Sequence, residues 1–121
     1  MTDPARSWPD IVACYQALAR TPGRALAPMR ELVEFLAASR YARALVPATE
    51  QEVLRIVRTA DGAAAREELR IRFDEPAQQF EFTHLRPDAA GAAWSRECGA
   101  GEWRPVLERL LHKRLQWFHE G

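Results

Sequence analysis

The chain has 121 residues, and its 17 Lys+Arg balance 17 Asp+Glu for a formal net charge of +0 at pH 7. Length and a hydrophobic fraction of 47% fit one domain spanning 1–121, able to bury roughly two-thirds of its unfolded surface. Six glycines, two cysteines and a charged fraction of 28% without excess of either sign exclude collagenous, disulfide-dense and disordered chains.

Sixteen of the cations are arginine and only Lys113 is lysine, in a chain with 21 alanines. That usage is what bacterial-type, GC-rich coding bias produces, so it counts for little as a sign of phosphate recognition. Residues 1–60 carry 8 Arg against 6 acids and residues 61–121 carry 9 Lys+Arg against 11, so neither half is a charged arm. The opening Met1-Thr2-Asp3-Pro4-Ala5-Arg6 has no apolar run after a cationic start, and no stretch reaches 18 apolar residues. The expectation is a cytoplasmic protein without membrane contact, with 1–6 as a flexible lead-in and Cys14 and Cys98 reduced.

Ser7-Trp8-Pro9-Asp10 reads as a capped helix start, and Ile11, Tyr15 and Leu18 form the stripe of a helix over about 8–20. Thr21-Pro22-Gly23 ends it. A second helix follows Pro28 with Met29, Leu32, Val33 and Leu36 inward, so the two form a helical hairpin. Thr49-Glu50-Gln51-Glu52 matches a capping box that would open another helix, but β-branched Val53-Leu54-Arg55-Ile56-Val57 favours a strand over 52–58.

Leu69-Arg70-Ile71-Arg72-Phe73 and Gln79-Phe80-Glu81-Phe82-Thr83-His84 alternate strictly and predict a hairpin around Asp74-Glu75-Pro76-Ala77. In the simplest register Arg70 faces Glu81, and His84 shares the inward face of Phe80 and Phe82. Arg86 to Ala93 reads as a loop and Trp94–Cys98 as a short edge strand. Gly99-Ala100-Gly101 then breaks the chain before a long helix over about 102–118, whose apolar residues cover nearly half its circumference. The predicted fold is α+β: an N-terminal helical hairpin, an antiparallel meander of three to five strands, and a long C-terminal amphipathic helix packed on the sheet.

The glycine-rich phosphate loops, HExxH, CxxC and GxSxG are all absent, and no cofactor is implied. Cys98, before the Gly99–Gly101 turn and a helix start, could be an activated thiol with His84 as base, in a small enzyme or ligand-binding domain. An ordinary thiol beside a chain reversal is the stronger reading. Glu108, His112, Gln116 and His119 share a helical face, but His112 and His119 lie about 10 Å apart and cannot bind one ion. Arg55, Arg58, Arg70 and Arg72 could give a basic sheet face for single-stranded nucleic acid, yet Glu52, Glu68 and Glu81 interleave with them, which disfavours it. What remains is the pairing of tryptophan with arginine at Trp94, Arg96, Trp103 and Arg104, the composition of an interface anchor. The leading expectation is a protein-interaction module of adaptor, regulator or inhibitor type, without catalysis, binding a protein partner or a second copy of itself.

Overall fold

A computed structural model describes residues 7–58, 67–85, 92–115 and 117. The expected lead-in at 1–6, residues 86–91 of the expected loop at 86–93, and Gln116, Phe118 and His119 lie outside the described residues, while 92 and 93 belong to a strand.

Ser7 accepts a hydrogen bond from the Asp10 amide at 3.3 Å and opens helix α1, Trp8–Arg20, with Pro9 in the first turn. Gly23, at φ 83°, reverses the chain into helix α2, Ala27–Ala38. Ile11 and Tyr15 of α1 and Met29, Leu32, Val33 and Leu36 of α2 are buried, as their spacing requires. A single 3-10 turn, Arg40–Arg43, then leads into a sheet.

Among the described residues the sheet has five antiparallel strands in chain order: β1 Leu45–Glu50, β2 Val53–Arg58, β3 Glu68–Asp74, β4 Gln79–Leu85 and β5 Ala92–Gly99. The fold is α+β, with helices before and after the sheet. Strand, not helix, occupies 53–58, because Gln51 and Glu52 take positive φ of 52° and 65°. That is the signature of a two-residue hairpin turn whose twist matches its strands. The buried Tyr15 hydroxyl donates to the Glu52 carbonyl at 3.1 Å and holds the turn against α1. Burial pushes this hydroxyl up to about 12, so it remains a donor at neutral pH.

The β3–β4 hairpin keeps the predicted faces but not the predicted register. Phe73 faces Phe80, Ile71 faces Phe82 and Leu69 faces His84, so Arg72 opposes Glu81 and Arg70 opposes Thr83. The turn is Glu75-Pro76-Ala77-Gln78, one residue later than expected, with Gln78 at φ 53°. Asp74 joins the strand and its carboxylate accepts from the Ala77 amide at 3.3 Å. The register moves by two residues, and a two-residue move leaves every side chain on its own face.

One face of the sheet is apolar: Leu54, Ile56, Leu69, Ile71, Phe80 and Phe82 are fully buried beneath the helices. The C-terminal helix over that face is short, which corrects the expected 102–118. Helix α3 covers Trp103–Arg109 and passes into a π turn, Leu110–Arg114, of five residues. Here the Leu115 amide donates to the Leu110 carbonyl at 2.8 Å and the Trp117 amide to the Leu111 carbonyl at 3.0 Å. The wider closure ends the α-helical ladder and carries Leu115 and Trp117 into the core.

Arg24, in the α1–α2 loop, binds the tips of the β1–β2 and β3–β4 hairpins, reaching Glu52 at 2.7 Å and Glu75 at 2.9 Å. The other Glu75 oxygen accepts from the Ala25 amide at 2.6 Å, and Gln78 Nε2 donates to the Ala25 carbonyl at 3.1 Å. The Ala25 amide, with Arg24, holds the Glu75 carboxyl below the ordinary carboxylate range. The folded state therefore binds this proton less readily than the unfolded chain. Its stabilising effect is complete above the unfolded value near pH ~4.3 and is lost as pH falls through the lowered folded value. Glu75→Gln is expected to lower Tm at pH 7 and to flatten the fall of Tm below about pH 5, read by circular dichroism melts across pH. At Gln51, glycine relieves about 1–2 kcal/mol of left-handed backbone cost. Glycine's own entropic cost of about 0.5–1 kcal/mol is smaller. Gln51→Gly is therefore expected to stabilise by about 0.5–1 kcal/mol in urea unfolding.

Candidate functional site

Among the described residues strand β5 is an edge of the sheet, paired with β4 alone. Its residues alternate, so Trp94, Arg96 and Cys98 share the face that carries the helices. Trp94 lies across from His84, Arg96 from Phe82 and Cys98 from Phe80. Alongside runs the last helix, which presents Val106, Arg109, Leu110, Lys113 and Arg114 to the strand. Between them is a half-open groove of about 260 Å³.

Trp94, Val106 and Leu110 supply the apolar part of the lining. Arg96, Arg109, Lys113 and Arg114 supply four cations. The Arg114 guanidinium sits 4.9 Å from the centre of the Trp94 ring. Among the described residues none of the four has a carboxylate within ion-pair distance. A second recess of about 340 Å³ adjoins this groove, sharing Arg109 and Lys113 and adding Arg40, Tyr41, Glu108 and His112. There the Tyr41 hydroxyl is hydrogen-bonded to His112 Nε2 at 2.9 Å.

The open face of the sheet is the electrostatic opposite. Glu68 bridges Arg55, at 2.9 Å, and Arg70, and Arg55 also reaches Glu50 at 3.1 Å. Arg72 pairs with Glu81 at 3.2 Å. Burial alone would push the Glu68 carboxyl up, but hydrogen bonds and charge from Arg55 and Arg70 outweigh it and hold the carboxyl low. Arg58 is not on this face: it stands across from Leu45 and its guanidinium lies 5.7 Å from the Trp117 ring. The expected four-arginine face is thus three arginines, each bound to glutamate, and Glu52 is in a turn instead.

The two tryptophan–arginine pairs are separated. Trp94 and Arg96 line the groove, while Trp103 packs edge-on to Phe35 at 5.6 Å and against Phe80 at 6.4 Å. Arg104 lies over Phe35 at 4.5 Å. Trp103 therefore packs against the core at the start of α3, the exposed Arg104 lies beside it on Phe35, and neither lines the groove.

Cys98 and His84 are not brought together. His84 is four residues from the Phe80 that faces Cys98, about 13 Å along the strand. Burial pushes the Cys98 thiol up, with Glu102 adding to it, the reverse of an activated nucleophile. The Gly99 amide at the turn is already used, since it donates to Glu102 Oε1 at 3.0 Å. His84 is buried and hydrogen-bonded through Nε2 to Glu67 at 2.8 Å, which also accepts from Trp117 Nε1 at 3.4 Å. Glu108 and His112 line one recess, but no group of three potential metal ligands occurs among the described residues. No helix among the described residues is long and apolar enough to cross a membrane.

No protein-family model, curated protein or solved structure matches this chain.

Iodoacetamide labelling followed by mass spectrometry checks the thiol assignment. Cys14, which is partly exposed, is expected to label well ahead of the buried Cys98 at pH 7.5. Faster labelling at Cys98 would contradict it.

Proposed function

We propose that this protein is a small binding module that recognises a protein partner through the groove between β5 and the C-terminal helix, without catalysis. One observation carries the reading. A chain of zero net charge gathers four cations around an apolar cleft with no carboxylate at ion-pair distance among the described residues, while Arg55, Arg70 and Arg72 on the open face are each paired with glutamate.

Unmatched charge clustered at a concave surface focuses field lines and steers an oppositely charged ligand. The tryptophan supplies large contact area at small entropic cost. Of the four residues expected to bind, Trp94 and Arg96 belong to this proposal. Trp103 and Arg104 support it only by fixing the helix that bears the other cations.

Affinity capture tests the reading, with any captured protein then purified and titrated. The expected partner binds at least about tenfold more weakly to the double variant Arg109→Glu/Lys113→Glu, equally well to Arg72→Gln on the open face, and more weakly as salt rises. Partners indifferent to the reversal would overturn the groove as the recognition site.

A further inference from the structure

The edge position of β5 gives the groove a mode of use, and this inference rests on the groove being the recognition site. We infer that β5 takes up an acidic, extended segment of a partner protein as a sixth strand. An apolar side chain of that segment covers Trp94, Val106 and Leu110, and flanking carboxylates meet Arg96, Arg109 and Lys113.

Three observations converge on it. β5 is an eight-residue strand paired on one side only among the described residues, and Ser95, Arg96 and Glu97 in its middle are exposed. An edge strand holds main-chain donors and acceptors ready for another chain, and a peptide that adds there satisfies them. The groove also opens on the side of β5 that faces the helices. Every second side chain of an added strand would point into it, at intervals of about 6.6 Å. Finally, the cations stand on both banks: Arg96 on the strand, Arg109 and Lys113 on the helix. An extended chain with carboxylates on either side of one apolar residue meets both banks at once.

The same features decide between occupants. A second copy joined through its own β5 would bring two clusters of four cations side by side, which like-charge repulsion opposes. Single-stranded nucleic acid would need an aromatic face for stacking, and Arg114 already covers the Trp94 ring. It would also leave the main-chain edge unsatisfied.

The probe is a fluorescein-labelled twelve-residue peptide with Glu and Asp on both sides of a central Phe, titrated by anisotropy at 50 mM salt. Two further versions carry backbone N-methyl groups at alternate residues, one along each edge of the extended peptide. Strand addition predicts that one N-methylated version binds at least about tenfold more weakly while the other matches the parent. It also predicts slower amide exchange in β5 on binding and a similar loss with Arg96→Glu. If both N-methylated versions bind like the parent and β5 exchange is unchanged, strand addition is overturned, while a loss with Arg109→Glu/Lys113→Glu would leave the groove reading standing. Failure of the acidic peptide to bind, or its displacement by equimolar twelve-nucleotide oligo-dT, would overturn the acidic protein segment as occupant.

Discussion

In β3 and β4 the large apolar side chains fall on every second residue, and the pairing of the strands puts them all on one face. Leu69, Ile71, Phe80 and Phe82 become a single apolar surface that must be covered. All three helices meet that demand on the same side. Position follows from it elsewhere: the α1–α2 loop ends at the hairpin tips where Arg24 can bridge two carboxylates, and α3 is laid beside β5. The groove is a by-product of this layering, the seam left where the last helix meets the last strand.

Charge follows the same division. On the open face a carboxylate lies within reach of Arg55, Arg70 and Arg72, and Glu68 serves two of them. Surface pairs of this kind each contribute about 0–1 kcal/mol, so their larger effect is to neutralise the face. Beside β5 the cations lack such partners among the described residues. Net neutrality therefore conceals a polar molecule with one matched surface and one positive seam. The two edges of the sheet differ accordingly. β1 carries Pro47, which has no amide to offer an approaching strand, whereas β5 is guarded only by its charge.

Much of this was legible in the sequence, because parity is. Strict alternation marked both strands of the central hairpin, and a shift of two residues in register could not move a side chain between faces. The helical hairpin was legible from apolar spacing, the Ser7 cap and Gly23. What was not legible was set by contacts distant in sequence. Gln51 and Glu52 look like a helix start until the Tyr15 hydroxyl and Arg24 arrive to hold them in a hairpin turn. The wide apolar arc after Gly101 read as a long helix because a π turn and a continuing α-helix bury similar residue sets. Arg58 was misplaced by a parity error against Arg55. The groove was half visible: Trp94 and Arg96 stood out on β5, but Arg109, Lys113 and Arg114 join them only through the packing of α3. Trp103 and Arg104 carry the same pairing of residue types but stand at the start of α3, where Trp103 packs against the core.

The chain-order meander has a kinetic consequence. Each strand pairs with the one made just before it, so the sheet closes through local loops, and local contacts favour rapid folding. Strand β5 is last in that order and, among the described residues, has a neighbour on one side alone. The N-terminal hairpin instead depends on contacts distant in sequence: Trp8 Nε1 donates to the Leu45 carbonyl at 3.1 Å, and Arg24 waits for Glu75, fifty-one residues later. The helical hairpin, made before the sheet, is thus completed late, and until β3 and β4 have met it has no finished surface on which to settle.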